Sequence, residues 1–232
     1  MLKNCSLDVV EGSITCIVGL SGAGKSTILR LIDGLLKPTE GDVYVGDKNI
    51  ADMNEDQLIE IRQRISLSFQ FAALLDSLTV GDNVALPLHE HSKHSDAEIR
   101  KQVMDALESV GLAHTYDLFP SELSGGMLKR AGFARAIVTH PELILYDEPT
   151  TGLDPIVTHL ITDTIMQLRQ KLNGTAVVIS HDLHSIFMMA DYVAMLFEGA
   201  IIAYDTADNI KNSDNPIVQQ FLQGSETGPI PI

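Results

Sequence analysis

Basic charge is what this chain most conspicuously lacks. Against 31 acidic residues stand only 16 lysines and arginines, a formal net charge of −15. Holding nucleic acid through its phosphate backbone needs a basic face, so no nucleic-acid partner is expected. Direct attachment to anionic lipid is opposed for the same reason, so any membrane link should run through a protein partner. Long hydrophobic runs are missing too. No apolar stretch reaches the roughly 18 to 20 residues that span a bilayer, and Met1-Leu2-Lys3-Asn4-Cys5-Ser6 has no signal-peptide layout, so a soluble, cytosolic chain is expected. Cysteine is scarce: Cys5 and Cys16 fall on or near predicted strands without ligand-like spacing, which suits reduced apolar side chains rather than a disulfide or metal pair. No repeat of fixed period is present.

What is present suits one large α/β domain or two small ones: 232 residues, of which 45% are hydrophobic. Strands are predicted at Ile14–Val18, Asp42–Val45, Ile65–Phe69, Leu143–Tyr146, Ala176–Ser180, Tyr192–Phe197 and Ala200–Ala203. Helices are predicted at Lys25–Leu36, Asp56–Arg64, Asp96–Val110, Gly125–Thr139, Ile156–Lys171 and His184–Ala190. Their alternation predicts a mostly parallel sheet with helical crossovers. Unbroken apolar strands such as Val177-Val178-Ile179 suit a sheet buried on both faces. Between Thr79 and Gly111 the chain turns helical and polar, and His89-Glu90-His91-Ser92-Lys93-His94 reads as an exposed loop. Three histidines without a cysteine or a second carboxylate cluster do not make a metal site. Residues 79–140 are expected to form a helical subdomain inserted into the α/β core. Pro216–Leu222 reads as a short helix closing a domain of residues 1–222. The proline- and glycine-bearing end, residues 223–232, reads as an extended or disordered tail.

One stretch carries the chemistry. Gly19-Leu20-Ser21-Gly22-Ala23-Gly24-Lys25-Ser26-Thr27 matches the phosphate-binding pattern G-x-x-x-x-G-K-[ST], with a predicted strand before it and a predicted helix after it. Glycines let the backbone approach a phosphate closely. Loop amides and the helix N-terminus turn positive partial charge towards the anion. Lys25 adds a mobile cation, and the Ser26 hydroxyl suits Mg²⁺.

Other pieces gain meaning beside it. Leu143-Ile144-Leu145-Tyr146-Asp147-Glu148 is an apolar strand ending in two carboxylates, one suited to Mg²⁺ and the next to orienting or deprotonating an attacking water. Ser124-Gly125-Gly126 opens a helix with a good N-cap and bare amides, a second anion-binding helix start. Thr150-Thr151-Gly152-Leu153-Asp154-Pro155 reads as a turn leading into a helix. Gln70 and His181 end strands, on the edge where parallel sheets bind ligands.

In this order the pieces resemble an ABC-type ATPase subunit over nearly the whole chain. The resemblance implies a head-to-tail homodimer. ATP would lie between the phosphate loop of one copy (Gly19, Ser21, Gly22, Ala23, Gly24, Lys25, Ser26 and Thr27) and Ser124, Gly125 and Gly126 of the other. It implies that Ser26 and Gln70 ligate Mg²⁺, with Asp147 supporting through water. Glu148 would polarise the attacking water, His181 would hold the γ-phosphate, and Asp154 would couple the two sites. The resemblance further implies an integral-membrane permease as partner, with a small regulatory subunit as a further one, and a place on the cytoplasmic face of the inner membrane.

A narrower likeness, to ATPases of Mla/Mce-type lipid transporters, rests on Phe71–Leu88, on Met127 where many relatives carry glutamine, and on the ending Gln220–Gly224 with Gly228–Pro231. It implies phospholipid as cargo. Other importers and exporters for amino acids, metals or drugs, and non-transport ABC ATPases, are the alternatives. The segment Phe71–Leu88, rich in Leu74, Leu75 and Leu78, is expected to meet the permease. Two features depart from the family. Met127 removes a signature amide. None of the 18 residues before Gly19 is aromatic, so adenine stacking is weak, supplied elsewhere, or carried by residues before the given start.

Overall fold

The computed structural model describes residues 2–70, 72–91 and 94–231. Among these a six-stranded sheet runs in the order β4-β5-β6-β1-β7-β8. Its strands are β1 (Ile14–Val18), β4 (Ile65–Ser68), β5 (Leu143–Asp147), β6 (Thr175–Ile179), β7 (Tyr192–Phe197) and β8 (Ala200–Thr206). All neighbours pair in parallel except β7 and β8. Those two form a hairpin, because Glu198 and Gly199 both take positive φ, as the tightest hairpin turns demand.

The sheet divides the core by the period of two along its strands. Ile14, Cys16, Val18, Ile144, Tyr146, Val178 and Met195 face one layer. Ile17, Leu145, Val177, Ile179 and Leu196 face the other. The second layer is covered by α1 (Lys25–Ile32) and α2 (Glu55–Arg62), the latter opened by a reciprocal Asn54–Gln57 capping box. The first layer carries α5 (Gly125–Ile137) and α6 (Pro155–Leu172). It continues without a break into α3 (Val80–His91) and α4 (Asp96–Ser109), which stand between β4 and β5 in the chain.

Several elements differ from the sequence prediction. The helix α1 ends at Ile32 rather than Leu36, because Gly34 takes φ +68 and turns the chain out of the helix. Of Asp42–Val45 only β2 (Tyr44–Val45) pairs. It forms a separate two-stranded ribbon with β3 (Lys48–Asn49) and takes no part in the main sheet. His89 and His91 belong to α3 and not to a loop, since buried Leu88 keeps the last turn against the core; Ser92 and Lys93 lie outside the described residues.

The C-terminus differs most. After α7 (Leu183–Met189) and α8 (Ala207–Lys211) comes α9 (Pro216–Gln223), and the chain then folds back instead of extending into solvent. Ile230 is only 6% exposed and joins the core. Gln220, equally buried, clasps it from both sides: the Ile230 N–H donates to Gln220 Oε1 (2.6 Å), and Gln220 Nε2 donates to the Ile230 carbonyl (3.3 Å) and to the Ser225 carbonyl (3.2 Å). A buried amide so satisfied is costly to remove, because its partners are left dry and unpaired. Gln220→Ala is therefore expected to lower stability by about 2 kcal/mol, read as a shift of the urea midpoint at constant m-value.

Candidate functional site

The site forms where β1, β5 and β6 end. Leaving β1, the chain turns at Gly19 with φ +146, and a side chain there would place its Cβ 2.1 Å from the Leu196 carbonyl oxygen of β7. Glycine alone allows this approach. Gly24 sits at the N-cap of α1 in the left-handed region, with no side chain to accept from the opening amides of the helix. That is the arrangement in which an anion takes the cap's place. Lys25 Nζ bends back over the loop and donates to the Gly19 (2.8 Å) and Leu20 (3.0 Å) carbonyls. Its burial pulls the ammonium pKa down, opposed by the nearby charges of Glu148 and Asp147.

The next turn of α1 meets the end of β5. Ser26 Oγ donates to Asp147 Oδ1 at 3.1 Å. Burial pushes the Asp147 carboxyl pKa up, the Ser26 hydroxyl pulls it down, and the neighbouring Glu148 raises it again. A hydroxyl and a carboxylate are hard oxygen donors of the kind Mg²⁺ takes. Among the described residues no group of three or more His, Cys, Asp or Glu is arranged to hold a metal ion by itself.

Glu148 leaves the strand geometry at φ +51, a left-handed conformation that is unusual for a glutamate. Three contacts hold it there. Its N–H donates to the Ile179 carbonyl at the end of β6 (2.9 Å). Its Oε2 accepts from Thr151 Oγ1 (2.9 Å) and lies 2.8 Å from His181 Nδ1. The structure thus brings Lys25, Ser26, Asp147, Glu148 and His181 to one edge of the sheet.

It does not bring Ser124, Gly125, Gly126 or Asp154 onto the phosphate loop. Ser124 caps α5, its Oγ accepting from the Met127 N–H at 3.4 Å. Gly125 lies against Leu153, and a Cβ on Gly126 would come 2.6 Å from Val157 Cγ1. Asp154 caps α6, its Oδ1 accepting from the Ile156 and Val157 N–H groups (3.0 and 3.1 Å). Gln70 follows β4, with its carbonyl accepting from Lys129 Nζ at 2.6 Å.

Known proteins are similar to this chain in sequence and fold. The profile of the ABC transporter family matches residues 2–151. The intermembrane phospholipid transport system ATP-binding protein MlaF of Escherichia coli K12 is 42% identical over 231 residues, covering 100% of this chain and 86% of that protein. A dimeric ATP-binding cassette in a post-hydrolysis state, bound to ADP and Pi, is 34% identical with a TM-score of 0.81, covering 89% of this chain and 90% of the other. CbiO1 of Clostridium perfringens, part of the ABC transporter complex cbiONQ, is 29% identical with a TM-score of 0.85, covering 96% and 88%.

This chain belongs to the ABC transporter family.

Within the family it is the ATPase subunit, and its α/β architecture is that of the cassette. Three side chains that support the site escaped the sequence reading. Thr151 steadies Glu148 from the following turn. Lys129 and Arg135, both on α5, reach the main chain around Gln70: Lys129 to the Gln70 carbonyl, and Arg135 to the Ala72 and Ala73 carbonyls (2.6 Å each). Ala72 and Ala73 sit in left-handed conformations that these bonds hold in place. The only sequence signal for Lys129 was its place in a helix whose other buried positions are small or apolar. Of the segment Phe71–Leu88, Phe71 lies outside the described residues. Val80, Val84, Ala85 and Leu88 are core, Leu74 packs against it, and Leu75 stands 50% exposed.

The close approach at Gly19 makes a sharp prediction. Gly19→Ala should lower stability by about 2 kcal/mol or more through backbone strain and clash. It should also abolish ATP binding, measured by titration with a fluorescent ATP analogue.

Proposed function

We propose that this ATPase works as a head-to-tail pair that drives a membrane permease carrying phospholipid. One observation carries the pairing. A single chain gathers its phosphate loop, Asp147, Glu148 and His181 at one edge, while its second glycine-rich helix start, Ser124-Gly125-Gly126, has Leu153 and Val157 as neighbours instead. A second copy, turned head to tail, supplies that helix start to the γ-phosphate. The dimeric cassette similar to this chain supports the pairing of two copies.

The roles follow from the contacts. The amides of Ser21, Gly22, Ala23 and Gly24, with those of Lys25, Ser26 and Thr27, cradle the phosphates, and Lys25 swings from the Gly19 and Leu20 carbonyls to the β- and γ-phosphates. Ser26 and Gln70 hold Mg²⁺, with Asp147 behind Ser26; the ion, when bound, supplies positive charge against the phosphate oxygens. Glu148 is the water-orienting carboxylate. Its Oε2 is committed to Thr151 and His181, which leaves Oε1 to accept from the attacking water. His181 turns Nδ1 to Glu148, so Nε2 is the atom left for the γ-phosphate. Asp154, rigid as the cap of α6, couples the two sites across the seam. Positioning and charge stabilisation carry most of the catalysis.

Phospholipid as cargo is supported by the name of MlaF, whose similarity runs the full length of this chain. A permease partner is supported by the transporter complex to which the similar CbiO1 belongs. We include a small regulatory subunit in the assembly, in keeping with a relative named as one protein of a transport system. No helix among the described residues is long and apolar enough to cross a membrane. Attachment at the cytoplasmic face of the inner membrane therefore runs through the permease, with exposed Leu75 in the contact. The unit proposed for this work is residues 1–222, with residues 79–140 as its helical part sharing one core with the sheet, and the segment after it packs back on that core through Ile230.

Three measurements test this. Glu148→Gln should cut phosphate release by about a hundredfold or more while ATP stays bound and the dimer persists; undiminished turnover would remove Glu148 from its role. Leu75→Asp should abolish co-purification with the permease and leave the melting temperature unchanged, since the side chain is half exposed. Lipid extraction from the wild-type assembly then identifies the cargo.

A further inference from the structure

A buried ammonium on α5 has no part in the mechanism above. Lys129 is only 8% exposed and stands in a helix whose other inward positions are small or apolar. Burial of a cation is costly unless its hydrogen bonds are met. Two main-chain carbonyls meet them: Gln70 at 2.6 Å and Glu148 at 3.4 Å. Burial pulls the ammonium pKa down, and the charge of Glu148 opposes that shift.

The position of these carbonyls is informative. The strands β4 and β5 pair in parallel as far as Ser68 opposite Tyr146. Two residues further on, the same register would set Gln70 opposite Glu148, but there the strands have ended. Lys129 spans the gap, taking one carbonyl from each chain end. Arg135 extends the grip by holding the Ala72 and Ala73 carbonyls. The start of α5, capped by Ser124 and opening with Gly125 and Gly126, lies three to five residues before Lys129.

We propose that Lys129 is a positioning residue that ties the Ser124–Gly126 helix start, which serves the partner's nucleotide, to Gln70 and Glu148, which serve this copy's own. The proposal rests on the reading of the chain as an ATP-hydrolysing pair. The helix start and Lys129 belong to one rigid element, so a displacement of its first amides is carried to Lys129. Both residues that Lys129 grips flank the γ-phosphate of this copy's nucleotide in that reading. Occupancy at one seam is thereby felt in the geometry of the other. The hydrogen bonds of the side chain go to main-chain carbonyls, so its loss should spare affinity and damage turnover and cooperativity.

The experiment uses the assembled transporter, with ATP hydrolysis followed over a range of ATP concentrations. Lys129→Met fills the same space without donors; Lys129→Arg keeps a cation and its donors. The expected result for Lys129→Met is a fall in kcat of about tenfold with KM within about twofold of wild type, and a Hill coefficient reduced towards that of independent sites. Lys129→Arg should restore most of both. Where Lys129→Met lowers the melting temperature, Lys129→Gln, which can still donate to one carbonyl, should give the intermediate kcat and Hill coefficient. Wild-type kcat and cooperativity in Lys129→Met would overturn the proposal, as would a loss in KM alone or a cooperativity defect that arginine fails to repair. A wild-type assembly that hydrolyses no ATP would instead overturn the functional reading itself, which keeps the two failures apart.

Discussion

The 3.1 Å hydrogen bond from Ser26 to Asp147 joins segments 121 positions apart in the chain. It fastens the start of α1 to the end of β5. Around it the phosphate loop acquires its depth, its acidic wall and its glutamate. The bond depends in turn on Gly19, whose backbone presses so close to Leu196 that the loop is stacked on the end of β7. Remove either, and the phosphate loop is no longer held against the strand ends that present Asp147, Glu148 and His181.

Strain and satisfaction lie side by side at this edge. Glu148 occupies a left-handed conformation, and so do Ala72 and Ala73. Such geometry persists only where neighbours over-determine it. The neighbours here are hydrogen-bonding groups aimed at main chain: the Ile179 carbonyl accepts from Glu148, and Lys129 and Arg135 donate to the carbonyls around Gln70. Helix α5 therefore does two jobs with opposite faces of its chemistry. Its Gly125–Gly126 opening suits an anion, and its Lys129 and Arg135 cations brace the neighbouring chain ends.

Much of this was legible beforehand. The phosphate loop, the acidic pair, the Ser-Gly-Gly helix start and the two strand-end residues stand in the chain as local patterns, and β1 and β7 matched their predicted ranges. A local pattern is legible because its chemistry needs neighbours in sequence: glycines for close approach, an apolar run for a buried strand, an Asp-Pro pair to open α6. Where prediction missed, the deciding contact was distant. Nothing in Gly224–Pro231 announces that Gln220 will clasp Ile230, because the clasp exists only once α9 lies on the core. The polar His89–His91 run reads as a loop until buried Leu88 holds it helical.

The amino-acid sequence by itself determined the family and the ATPase chemistry and pointed to the proposed reacting groups, since these depend on residue type and short spacing. Tertiary structure alone decided which groups share a place. It set Glu148 against Thr151 and His181, left Ser124 to Gly126 beside Leu153 and Val157, and put the Lys129 ammonium where two strands end. The physical reason is that a hydrogen bond acts only across about 3 Å, and in a parallel sheet the segments that come so near are set by strand order, which no local stretch of the chain records.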